Sequence, residues 1–162
     1  MRNRRNRQSG FSLIELLIVV AIILIIAAIA IPNLMRARMS ANESSAAGSI
    51  RTINTGEVSY AAAYPSQGFT ALPQLGGATP CTPSTSSGCF IDNVLATGSK
   101  EGYTFTAAPA LQINGVYMQY TSLGYPSSLN QTGTRSFCSD QTGVIFYNVN
   151  AITCNNTNSV LQ

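Results

Sequence analysis

Between Gly10 and Pro32 the sequence reads GFSLIELLIVVAIILIIAAIAIP, and the one charged residue in it is Glu15. From Leu16 to Met35 twenty residues pass without a charge. At about 1.5 Å per residue they make roughly 30 Å of helix, about the thickness of a bilayer's hydrocarbon core. The run is apolar on every side, so a helix built from it must be surrounded by lipid or by other apolar helices.

Charge on either side of the run gives it a direction. Arg2, Arg4, Arg5 and Arg7 all lie in residues 1–10. The whole chain has nine basic and six acidic residues, net +3, and without the first ten residues the side-chain charge falls to −1. An arginine-rich arm can bind nucleic acid. Immediately before an apolar span it reads instead as a cytoplasmic anchor, which sends residues beyond about 33 to the outer side. All four cysteines, Cys81, Cys89, Cys138 and Cys154, lie on that side, where disulfides can persist. A competing reading is a secretory signal cut at Ala28-Ile29-Ala30, which would release a soluble chain beginning at Ile31. Glu15 at the head of the run, and an apolar stretch longer than a signal core, argue against it.

A basic leader ending in Gly10, then Phe11, a glutamate five residues after the glycine and Pro32 twenty-two after it form a pattern that resembles the N-terminus of type IV pilins and of the pseudopilins of type II secretion. The resemblance covers about 25 residues closely, and Leu24 stands where many members have glycine. It implies cleavage after Gly10 by a membrane peptidase, N-methylation of the new terminal Phe11, and a role for the Glu15 carboxylate in assembly. It further implies a homo-oligomeric helical filament, with the prepilin peptidase/methyltransferase and a pilus or type II secretion assembly machinery as partners. The expected location is the bacterial inner membrane, and after assembly an extracellular pilus or a periplasm-spanning pseudopilus.

Beyond Pro32 the pattern becomes amphipathic and stays helical. Proline lacks an amide hydrogen and crowds the carbonyl of Ala28, so a kink or local break is expected near residues 28–32. Ala46, Ala47, Ile50, Ile53, Tyr60, Ala61 and Tyr64 recur at spacings of three and four, with one polar gap at Glu57, and give one apolar face. Arg36, Arg38, Glu43, Arg51 and Glu57 supply polar positions, Gly48 and Gly56 each cost about 1 kcal/mol of helix propensity, and Pro65 ends the helix. From Pro65 to Lys100 the composition shifts to Gly, Pro, Ser and Thr, too poor in apolar residues to order itself unaided. A Cys81–Cys89 disulfide would do much of that ordering. Four β-rich runs follow: Tyr103–Ala107, one beginning at Val116–Tyr120, Arg135–Cys138 and Val144–Val149, the last two joined across Asp140-Gln141-Thr142-Gly143. The phrase SFCSDQTGVIFYN also resembles the closing hairpin of pilin-like domains. Four cysteines allow three pairings. The local one is expected, Cys81 to Cys89 and Cys138 to Cys154.

The chain has no histidine, which removes the commonest side chain for proton transfer and metal binding near neutral pH. Beyond the helix the carboxylates are Asp92, Glu101 and Asp140. They read as solvated loop and turn acids, and Asp140 with Asp92 falls short of the six to eight oxygens a hard cation takes. There is no C-x2-C pair and no phosphate-binding glycine motif. Lys100 and Arg135 are the basic residues after the helix, too few for a nucleic-acid groove. Asn42-Glu43-Ser44, Asn130-Gln131-Thr132 and Asn155-Asn156-Thr157 match the glycosylation sequon.

The expected fold is α+β: a long N-terminal helix, half transmembrane and half amphipathic spine, with a small antiparallel sheet packed on its C-terminal half. The expected organisation is a leader at 1–10, a membrane and assembly helix at 11–35, an amphipathic helix at 36–64, and a loop and sheet at 65–162 that form a head with residues 36–64. The expected function is structural, as a type IV pilus-like filament subunit, with no enzymatic activity, cofactor or metal. The alternatives are a type II secretion pseudopilin, or a minor tip pilin acting in adhesion or DNA uptake.

Overall fold

The computed structural model describes residues 11–161. They divide into two units, one up to Ala37 and one from Arg38 onward. The first helix, α1 (Leu13–Ala63), belongs to both.

Among the described residues of the first unit, α1 is the one regular element. It continues as helix through Pro32, so of the kink or local break expected near residues 28–32 the break is not there. The proline ring removes one donor, the one that would meet the Ala28 carbonyl, and the unbroken turns on either side carry that loss. Every residue from Leu13 to Met35 is exposed except Ala27, which is half-buried.

In the second unit the rest of α1 lies against a sheet. Six strands form one antiparallel meander in chain order: β1 (Ser99–Lys100), β2 (Tyr103–Ile113), β3 (Val116–Pro126), β4 (Arg135–Asp140), β5 (Ile145–Val149) and β6 (Ser159–Val160). The four expected runs are β2 to β5, and β1 and β6 are short additions at the edges. β2 and β3 pair from Tyr103↔Pro126 out to Ile113↔Val116. Asn114 and Gly115 make the two-residue link, with φ of 51° and 86°, as the type I′ hairpin turn demands. On β2 the alternation is clean: Tyr103, Phe105 and Ala107 are buried, while Thr106 and Ala108 are exposed. β4 breaks it, since Ser136 to Ser139 are all buried. The outer face of β4 is covered by the C-terminal tail, held there by the Cys138–Cys154 disulfide and by Ser136 Oγ donating to the Thr153 carbonyl at 3.2 Å.

Ala46, Ile50, Ile53 and Tyr60 of α1 meet Tyr103, Phe105, Phe137 and Ile145 of the sheet in one core. Residues 65–100 contribute more to that core than their composition suggests. Two short helices, α2 (Leu72–Leu75) and α3 (Asn93–Ala96), bury Leu72, Leu75, Leu95 and Ala96, and Ile91 joins them. The Cys81–Cys89 disulfide gathers the polar residues between its ends into a ring. At the base of that ring, Phe90 and Ile91 donate their amides to the Leu75 carbonyl at 2.8 and 3.2 Å. A few apolar residues suffice once the intervening polar chain is closed off and its entropy reduced.

Candidate functional site

Phe11 and Glu15 stand at the start of α1. Phe11 is 85% exposed. Glu15 turns back along its own helix, and its Oε2 accepts the backbone amide hydrogen of Ser12 at 2.9 Å, while the Leu16 amide donates to the Ser12 carbonyl at 3.2 Å. Ser12 thus takes the N-cap position with a glutamate three residues on, half of a capping box. The S-x-x-E spelling at Ser12–Glu15 is the signal that would have found it. Gly10, the expected cleavage residue, lies outside the described residues, as does the leader.

After Glu15 the helix presents an unbroken apolar surface, with Leu16, Leu17, Ile22, Ile25 and Ile29 each more than half exposed. An 18-residue window of it reaches a mean hydropathy of 3.3 with none of it buried. Such a surface in water would cost about 25 cal/mol per Å². It calls for lipid or other apolar surface around it.

In the head, both expected cysteine pairs are disulfides, Cys81–Cys89 and Cys138–Cys154, and among the described residues no cysteine is free. Asp140 stabilises its turn: the Gly143 amide donates to its carbonyl at 2.9 Å, and Thr142 donates its amide and hydroxyl to the carboxylate at 2.9 and 2.6 Å. Asp92 caps α3 through the Leu95 amide at 2.9 Å and pairs with Lys100 at 3.1 Å. That amide, with Lys100 beside it, holds the Asp92 carboxyl below the usual carboxylate range. The two acids therefore serve local structure on different loops.

Three polar residues of α1 do more than composition indicates. Asn54 accepts from the Tyr120 hydroxyl at 3.1 Å and donates to Ser139 Oγ at 2.8 Å, joining α1 to β3 and β4. Glu43 Oε1 accepts from the amide and the hydroxyl of Thr134, both at 2.7 Å, and its Oε2 lies 3.5 Å from Arg135 Nε. Glu57, expected as a polar gap, is fully buried. Its Oε2 accepts the Thr70 amide at 3.0 Å and its Oε1 has no partner. Burial pushes its carboxyl up from 4.5 to about 7, with the Thr70 amide opposing the shift. Spacing alone placed Glu57 on the inward face, four residues after Ile53 and three before Tyr60.

An exposed apolar stretch thus follows Glu15, whose carboxylate caps the start of α1, and the later part of α1 packs with the sheet of a small α+β head. Residues 5–31 match the family description "Prokaryotic N-terminal methylation motif". The chain is 48% identical over 58 residues to the type IV major pilin protein PilA of Myxococcus xanthus, covering 36% of this chain and 26% of that protein. It is 60% identical over 43 residues to the type IV wide pilus major component PilA4 of Thermus thermophilus, covering 26% of this chain and 30% of that one. The motif and these partial matches make the chain similar to type IV pilins over part of its length. It spans less than a third of the length of the curated relatives it matches. No solved structure matches.

Proposed function

We propose that this chain is a structural subunit of a type IV pilus-like filament, held in the inner membrane by residues 11–35 until assembly. A prepilin peptidase cuts after Gly10, the new amino-terminal Phe11 is N-methylated, and copies then polymerise through α1. The observation that carries the reading is the bare apolar surface of α1, most of which lies within the residues matched by the methylation motif. Lipid covers that surface in the membrane, and neighbouring helices cover it in a filament, where dispersion packing replaces lipid contact at little cost.

Glu15 supplies the register. A carboxylate inside an apolar span costs about 3 kcal/mol on insertion scales, more than the 0.3 to 1 kcal/mol or so that a helix N-terminus returns. The charged amine of Phe11 on a neighbouring copy offsets that cost, and a one-turn slip would strand both charges. Two measurements test the proposal. Intact mass of the membrane-extracted or filament protein is expected to show a chain starting at methylated Phe11, and a start at Ile31 would overturn the reading. Glu15→Gln is expected to insert, be cleaved and fold its head, yet leave few sheared filaments. Wild-type filament numbers from that variant would remove Glu15 from assembly.

A further inference from the structure

The head carries an acid and a cationic cleft on opposite flanks of α1. Of the six acids in the chain, Glu15 belongs to the apolar helix, Glu43 is held by Thr134 and Arg135, Glu57 is buried, Asp92 pairs with Lys100, and Asp140 holds its turn. Glu101 remains, exposed at the turn between β1 and β2, with no hydrogen bond or ion pair among the described residues. Its backbone is fixed there by positive φ at both Glu101 and Gly102, 48° and 76°.

The counterpart is a cleft of about 290 Å³ beside α1, where Arg51 and Arg135 converge with the hydroxyl-bearing Ser40 and Ser44. Arg135 is already engaged by Glu43, and its guanidinium lies 5.4 Å from the centre of the Tyr147 ring. Arg51 is exposed and makes no ion pair among the described residues, so the described residues leave the cleft one net positive charge. It is complementary to a single carboxylate.

The turn bearing Glu101 packs beside Asn42, since a Cβ on Gly102 would stand 3.2 Å from Asn42 Nδ2. Asn42 and Arg51 are nine residues apart on α1, which is about two and a half turns, roughly 13 Å along the axis and half a turn round it. The turn bearing the acid and the Arg51 side of the cleft therefore lie on opposite flanks of α1, about half a turn apart. Complementary patches placed so make a head-to-tail contact that does not close on itself, which builds an open helical array.

We infer that the Arg51 cleft of one copy receives Glu101 of the next, a charge contact between heads that selects the stagger of neighbouring subunits. This rests on the reading of the chain as a filament subunit. An exposed ion pair adds little strength. Repeated at every subunit, it discriminates the right stagger from wrong ones, which is what charge complementarity does well.

Charge reversal tests the pairing in the full-length chain expressed in its source cells. Arg51→Glu and Glu101→Arg, each alone, are expected to cut sheared filaments about tenfold while mature protein accumulates in the membrane, and the double reversal to restore them to within about twofold. Single reversals without effect, or a double reversal no better than the worse single, would overturn the inference. A second arm does not depend on losing filaments. Arg51→Lys keeps the charge, and zero-length carbodiimide treatment of filaments built from isotopically mixed copies is expected to join position 51 of one copy to Glu101 of another. Crosslinks from position 51 to other acids alone, or none, would also overturn it. If unaltered filaments lack this chain, the subunit reading fails; if they contain it and ignore both reversals, only the pairing fails.

Discussion

At the scale of single residues, Glu57 has no exposed surface, one oxygen holding the Thr70 amide and one without a partner. The groups packed around it include the Tyr120 hydroxyl, which burial and Glu57 together push above its ordinary range. Because its folded pKa is raised from 4.5 to about 7, the folded head holds a proton that the unfolded chain releases earlier. Its contribution to stability is complete below about 4.5 and is lost as pH rises through about 7, by on the order of 3 kcal/mol. Urea denaturation of the mature protein across that window is expected to show the decline, and Glu57→Gln is expected to flatten it. Two glycines of α1 make a contrasting pair. A Cβ at Gly56 would fall 2.8 Å from Ile91 Cγ2, whereas one at Gly48 meets nothing within 4 Å. Gly48→Ala is therefore expected to raise stability by about 0.5 to 1 kcal/mol, and Gly56→Ala to lower it by about 1 to 2 kcal/mol as overpacking outweighs propensity. Thermal unfolding of the two variants separates these outcomes. The sequence marks both glycines as equal helix costs, because what distinguishes them is Ile91, 35 positions further along the chain.

At the scale of elements, legibility tracks how local the cause is. α1 was readable from its apolar run and its three-and-four spacing, and its observed span of Leu13–Ala63 follows from those and from Pro65. β2 to β5 were readable from β-rich composition and the Asp140–Gly143 turn. The Asn114-Gly115 link was equally local and would have fixed the length of the first hairpin, since β2 and β3 run the full distance to it. α2 and α3 were not legible, being four residues each, ordered by packing on α1 and by a ring closed elsewhere. Glu43, Asn54 and Glu57 gave no sign of their bonding, because their partners Thr134, Ser139 and Thr70 come from segments that meet them only on folding. The two disulfides make a prediction at this scale. Reduction is expected to loosen residues 77–91 and the tail after Val149 while sparing α1, each bridge contributing on the order of 2 to 4 kcal/mol. Hydrogen exchange with and without reductant measures it, and loss of protection in α1 equal to that in the loop would contradict it.

On the scale of the whole molecule, the sequence motif and the architecture bear on different questions. On the proposed function, the motif at residues 5–31 would account for processing and anchoring, and the exposed surface of α1 for why copies gather. On the inferred head contact, the head would set them in order. The local closure of the disulfides has a mechanical consequence. Both rings lie between Cys81 and Cys154, beyond the end of α1 at Ala63, and neither bonds covalently to it. In a filament of the proposed kind, a pull transmitted from one α1 to the next would not load a disulfide. Strain on the head falls instead on the side-chain contacts of Glu43, Asn54 and the core face, which can part and re-form. Such a subunit yields under tension at its reversible joints and keeps its covalent ones out of the line of force.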